Sequence, residues 1–292
     1  VDLDKRNKDS KKFTFPIHCP SCGSKTVKDF NETTKKQDAV RRCLSEGYEC
    51  KKIAIEKIKH FVSKEAFNID GFGKKIVENF WHLNLIKLPQ DIFKLDYEKI
   101  KVLEGWGDLS VSNLRYSIED KKKISLERFI YSLGIRHIGQ ENAKLLARHL
   151  KSPENFFYLT TNKFMNELVN IDGIGATQIK SINNFFLNRT NLKVLSELKK
   201  ILKIAKVSQL NKNGSLKNKT FMLTGKLNEM SRAEAKSLIE QNSGKIINNV
   251  NKKLDYLIIG KKPTLKKVNN AKELNISIIS QDEWINMLKK TS

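Results

Sequence analysis

Apolar positions recur at helical spacing through the middle of the chain. In "SLERFIYSL" Leu126, Phe129, Ile130 and Leu133 share one face, and in "NAKLLARHL" Ala143, Leu146, Ala147 and Leu150 do the same. This spacing predicts a helical domain over residues 57–205. Residues 206–217, "KVSQLNKNGSLK", are polar and predict a linker. The texture then changes. "TFMLTG", "DYLIIG" and "SIIS" are short β-rich runs. "SRAEAKSLIEQNSG" predicts a helix with Ser231 as N-cap, Glu234 as its capping-box partner and Gly244 as the stop. "QDEWINMLKK" predicts a last helix, with Trp284, Ile285 and Leu288 facing a core. The order β-α-β-β-α-β-α predicts a small, largely parallel sheet with helices on its faces over residues 218–292. At the other end, "KFTFP" alternates and stops at Pro16, so residues 1–16 are expected to hold the last strand of an upstream domain. The chain begins at Val1 and is expected to be a fragment of a longer polypeptide.

Superimposed on the helical pattern is a repeat, apolar-x-Gly-apolar-Gly. It occurs as "IDGFG" from Ile69, "LEGWG" from Leu103 and "IDGIG" from Ile171, and "IRHIG" from Ile135 carries His137 at the first glycine position. The last glycines, Gly73, Gly107, Gly139 and Gly175, recur roughly every 34 residues, each between two apolar helical stretches. A helix enters, the chain turns at the glycines, and a second helix begins. Glycine admits positive φ and keeps no Cβ between the backbone and an approaching group. The intervening Phe72, Trp106, Ile138 and Ile174 are expected to point inward and pin the turn. What remains outside is a helix N-terminus with free N–H groups, a site for phosphate. Gly71, Gly73, Gly105, Gly107, Gly139, Gly173 and Gly175 are the candidate contacts, and they would hold a backbone without reading bases. A solenoid with tight glycine turns is the plainer alternative, but the tetratricopeptide signature is absent.

Charge supports this reading only in part. The net charge of +23 suggests a polyanionic partner. Yet 46 of the 55 basic residues are Lys and only 9 are Arg, with abundant Asn and Ile, the bias an AT-rich coding sequence produces unaided. The motifs must therefore decide. No apolar run is long enough to span a membrane.

All four cysteines lie within the first fifty residues. Cys19 and Cys22 form C-x2-C in "CPSCG", and Cys43 and Cys50 follow in "RRCLSEGYEC". That spacing points to one structural zinc with a closed coordination sphere, in a finger over residues 17–56, rather than to disulfides. His18 abuts Cys19, which makes simultaneous ligation awkward.

The motif is the helix-hairpin-helix, and four in tandem resemble the DNA-binding domain of the bacterial NAD-dependent DNA ligases. The resemblance runs along nearly the whole chain. "FPIHCPSCGS" is similar to that family's join between OB-fold and zinc finger. "HFVSKEAFNIDGFG" resembles its first hairpin and "FIYSLGIRHIGQENAKLLA" its third, while "FMLTGKLNEMSRAEAKSLIEQNSGKI" with Trp284 resembles its BRCT core. The loop "GKKPTLKK" departs from the small-residue run expected after Gly260, and the second cysteine pair is slightly wide.

The resemblance implies a multidomain α+β chain. Its parts are an OB-fold remnant, a four-Cys zinc finger, an all-α helix-hairpin-helix domain and a BRCT domain with a four-stranded parallel sheet. It implies binding to nicked duplex DNA as a monomer in a bacterial cytoplasm, with NAD and Mg2+ used only by the full-length enzyme. Such ligases take up AMP on the lysine of a K-x-D-G motif. This chain has none; "NIDG", twice present, puts Asn68 and Asn170 where the nucleophile would stand. The chain alone is therefore expected to be catalytically silent. A free-standing DNA-binding adaptor, with the BRCT domain recruiting partners, is the alternative. A phosphate site at Thr224, Gly225 and Lys266 or Lys267, by likeness to other BRCT domains, is weaker than the plainer reading of a turn flanked by surface lysines.

Overall fold

A computed structural model describes residues 9, 14–31, 35–45, 47–160, 167–207, 214–228, 230 and 232–289. The expected N-cap Ser231, most of the residue 1–16 segment and the centre of the 206–217 linker lie outside the described residues. Residues 14–16 form no strand, so the expected strand ending at Pro16 is not seen in its described part. Extended pairing starts further on, with β1 (Thr26–Asn31) and β2 (Lys36–Cys43) antiparallel. The two strands between the cysteine pairs thus space them.

Helix α1 (Lys51–Val62) begins directly after Cys50 and crosses the expected junction at 56/57. Then come α2 (Lys74–His82), α3 (Tyr97–Lys101), α4 (Asp108–Asp120), α5 (Leu126–Ser132), α6 (Gln140–Leu150), α7 (Pro153–Phe157), α8 (Ala176–Leu187) and α9 (Arg189–Ile201). Their apolar stripes meet in one continuous core that runs from Ala54 to Leu202. Aromatic rings fill it: Phe61 stacks on Phe67 with centroids 4.2 Å apart, and Phe156 meets Phe186 edge-on at 5.4 Å.

This domain is not purely helical, contrary to expectation. β3 (Lys123–Ser125) pairs in parallel with β4 (Lys203–Ala205), closing the end of α9 onto the α4–α5 connection. The Lys203 N–H donates to the Lys122 carbonyl at 2.8 Å. Three residues, Lys-Ile-Ser or Lys-Ile-Ala, are too few to announce a strand. The pairing is imposed by unspent backbone groups at a chain crossing.

The last domain is β5 (Thr220–Thr224), α10 (Arg232–Gln241), β6 (Lys245–Ile246), β7 (Tyr256–Ile259), α11 (Leu265–Glu273), β8 (Ser277–Ser280) and α12 (Gln281–Lys289). The sheet order is β6-β5-β7-β8 with every neighbouring pair parallel. Alternation along β5 divides two cores. Phe221 and Leu223 join Ala235, Ile239 and Trp284 beneath α10 and α12, whereas Met222 joins Leu257 and Ala271 beneath α11.

Candidate nucleic-acid interface and metal centre

The four glycine motifs fold alike. In each, the fourth residue donates its N–H to the carbonyl of the first: Phe72 to Ile69, Trp106 to Leu103, Ile138 to Ile135 and Ile174 to Ile171, at 3.0–3.2 Å. The third residue has positive φ in every copy: +78° at Gly71, +80° at Gly105, +62° at His137 and +87° at Gly173. A positive φ at the third position of an i to i+3 bonded turn marks a type II turn. The apparent exception in the third motif is thus an exception in composition only, because His137 adopts the glycine conformation. Its ring Nδ1 lies 3.0 Å from the Ser181 hydroxyl, and its carbonyl accepts from Asn142.

The second glycines behave differently. Gly73, Gly107, Gly139 and Gly175 have φ between −71° and −144° and extended ψ, which any residue adopts. Each is the N-cap of its following helix, and its carbonyl accepts the first helical bond, from Val77, Val111, Ala143 and Ile179 respectively. A Cβ built at Gly73, Gly107 or Gly139 meets nothing within 4 Å. The fold therefore does not require glycine there. None of these four helices has a side-chain cap; at α4 the Ser110 hydroxyl accepts only from the N–H of Gly107 itself. Ordinary helices begin on Ser, Thr, Asp or Asn, whose oxygen occupies first-turn donors. Here the first-turn donors have no such side-chain partner.

The residues between the glycines point inward, as their apolarity demands. Phe72, Ile138 and Ile174 are buried, and the half-buried Trp106 lies 5.5 Å from the Phe80 ring. Charge distinguishes the copies. The first turn of α2 holds Lys74 and Lys75 and no acid, and that of α8 holds no acid either. Asp108 and Glu141 sit in the first turns of α4 and α6, where they compete with an incoming anion.

The four cysteine thiols converge, every Sγ within 4.8 Å of the others. Cys19 and Cys50 are 3.9 Å apart and Cys22 and Cys43 3.5 Å, far longer than a disulfide bond. A tetrahedral ion with metal–sulfur bonds of about 2.3 Å spaces its ligands about 3.8 Å apart, so the cluster can hold one metal ion. The Ser24 and Ser45 hydroxyls and the Ser24 backbone lower the Cys22 pKa to about 5, favouring thiolate. His18 is bridged to Lys25 in the strand direction and is outside the cluster. Cys50 is buried and is also the N-cap of α1, so the finger and the helical domain share this residue.

In the last domain Thr224 is buried and its hydroxyl accepts from the Thr264 N–H at 3.2 Å. The Gly225 carbonyl accepts from Arg232, and Lys266 stands exposed on α11. The domain docks on the helical one through α10. Arg128, buried on α5, donates to Glu234 at 2.8 Å and to the Ala66 carbonyl. Glu240 receives both Lys144 and Arg148 at 3.1 Å, and Ser237 donates to Glu127 at 3.0 Å. Sequence reasoning missed this contact, because nothing in either helix marks its polar face as a partner for the other.

Residues 211–288 match the BRCA1 C Terminus (BRCT) domain family, and residues 128–195 match the helix-hairpin-helix motif family. Along its whole length the chain is similar to DNA ligases. A DNA ligase of Pelagibacter ubique is 76% identical over 291 residues, covering all of this chain. One from Wolbachia pipientis wMel is 42% identical over 97% of the chain, and one from Parvibaculum lavamentivorans 37% over 98%. The chain spans 42–43% of the length of these DNA ligases. Among the described residues no helix is long and apolar enough to cross a membrane.

Proposed function

We propose that this chain is the DNA-gripping C-terminal part of a bacterial, cytoplasmic NAD-dependent DNA ligase, and that its four hairpins hold nicked duplex DNA by the backbone. The observation that carries this reading is the repeated turn, which ends four times on an exposed glycine heading a helix. Phosphate oxygens would accept from the first-turn N–H groups behind Gly73, Gly107, Gly139 and Gly175. Gly71, Gly105 and Gly173 shape the turns that present them. Such contacts carry no base information, which suits an enzyme that must act at any nick.

Cys19, Cys22, Cys43 and Cys50 would hold one zinc ion, whose role is to fold the finger rather than to take part in chemistry. The adenylation step, with NAD and Mg2+, belongs to the remainder of the enzyme, since no lysine here stands in K-x-D-G. Thr224, Gly225 and Lys266 take a secondary place: with the Thr224 hydroxyl bonded within the fold, only Lys266 of the three offers a free cationic head to an anion.

The test has two arms. The chain is incubated with NAD and Mg2+ and weighed by mass spectrometry, then titrated onto nicked duplex. The expected result is no added AMP together with salt-sensitive duplex binding. An AMP adduct lost on changing one lysine of this chain, or no duplex binding at low salt, overturns the proposal.

A further inference from the structure

A cleft of about 1130 Å³ lies where the BRCT domain meets the first hairpin. Asn68 and Asp70 of the hairpin turn, Lys64 and the exposed Tyr116 of α4 form one wall. The loops after β5 and β7, with Lys226, Lys261 and Lys262, and Arg232 at the start of α10 form the other. With Lys121 on the helical side, the lining holds six cationic side chains against two acidic ones, Asp70 and Asp120.

The cationic wall is built by the backbone. Lys226 and Lys261 exchange N–H···O bonds of 2.8 and 2.7 Å, which sets them side by side. The loops approach so closely that a Cβ at Gly260 would lie 2.3 Å from the Lys226 carbonyl oxygen. Gly225, at φ +86°, would place its own Cβ 2.8 Å from the Gly260 carbonyl carbon. Two glycines thus bring three lysines together, and among the described residues Lys64, Lys226, Lys261 and Lys262 form no ion pair. Concentrated like charge opposes folding unless an anion neutralises it.

We infer that this cleft seats the sugar–phosphate backbone of the same DNA strand that the first hairpin grips, so that the BRCT domain completes the DNA surface instead of standing apart from it. The inference rests on the reading of the hairpins as duplex-binding. Three features favour a DNA strand. Its lining includes Asn68 and Asp70 of the first hairpin turn, lysines stand on walls from two domains, and Tyr116 offers an exposed ring to a sugar or base face. The contacts of Arg128 with Glu234, and of Lys144 and Arg148 with Glu240, join the two domains whose residues line the cleft.

The test measures binding of the whole chain to nicked duplex by fluorescence anisotropy across a salt series. Lys261→Glu with Lys262→Glu is compared with Lys252→Glu plus Lys253→Glu, an identical charge change on an exposed BRCT loop outside the cleft. Thermal melting confirms that both variants are folded. The cleft pair is expected to weaken binding at least tenfold and flatten the log–log salt slope by about 2, near 0.9 for each lost phosphate contact. The control pair is expected to weaken it less than threefold. Lys64→Glu, on the opposite wall, is expected to weaken it as well. Equal effects of the two pairs, or unchanged binding in the cleft pair while the parent binds duplex, overturn the cleft and leave the hairpin reading standing. A parent that binds no duplex overturns both. Sodium tripolyphosphate or a phosphoserine peptide binding the parent as tightly as duplex, with loss in the cleft pair, overturns the strand assignment in favour of that ligand.

Discussion

At Gly71 and Gly105 a side chain has room but not the conformation, since nothing lies within 4 Å while φ is near +80°. Alanine there costs about 1–2 kcal/mol, the penalty of a left-handed L-residue. His137 already bears that cost, so His137→Gly is expected to leave stability unchanged or raise it, despite losing the Ser181 contact. Urea melts of Gly105→Ala and His137→Gly check both directions, and equal destabilisation by the two would refute the turn assignment. The second glycines invert the logic. Gly73→Val is expected to leave the melt within about 1 kcal/mol, because valine is only a poor N-cap, and to weaken duplex binding by about 1–2 kcal/mol for one lost charge-assisted contact. Gly107→Val is expected to weaken it less, because Asp108 and Ser110 already burden that helix start. The sequence made the glycines visible but not their division of labour. Spacing shows that a turn exists, whereas the sign of φ at each position emerges only when the turn is closed by its hydrogen bond.

Among the elements, the finger and α1 share Cys50, which is both a thiol of the cluster and the residue from which α1 starts. Chelation of the metal is therefore expected to loosen residues 17–50 and fray the first turn of α1, while the BRCT domain keeps its fold. Amide hydrogen exchange with and without chelator reads this directly; full protection of the finger after verified metal loss would contradict it. Cys50→Ser should lower the melting temperature more than Cys22→Ser, because Cys50 is buried and Cys22 exposed. At this scale the sequence was most legible for long periodic helices and for the alternating β-rich order of the last domain. It was least legible for β3 and β4, whose three residues each pair across some eighty positions of chain. Such a contact has no local signature.

Across the whole molecule the docking of the BRCT domain is ionic and polar, centred on a buried arginine. Neutralising the partly exposed Glu234 leaves the buried Arg128 uncompensated. Glu234→Gln with Glu240→Gln is expected to free the BRCT domain, seen as two separate melting steps and a larger radius of gyration by solution scattering. A single unchanged melt and radius would show that the domains are held by something else. On the proposed function, backbone geometry at the hairpins, more than bulk charge, holds DNA. Gly73→Val, Gly107→Val and Gly175→Val combined keep the net charge at +23. The decisive measurement is the salt dependence of duplex affinity for the parent and this triple variant, with circular dichroism to confirm intact helices. The expected parent log–log slope is about −3 to −7, at about −0.9 per phosphate, and the variant's is shallower by about 3. A folded triple variant with the parent's affinity and slope would make the hairpins scaffold only.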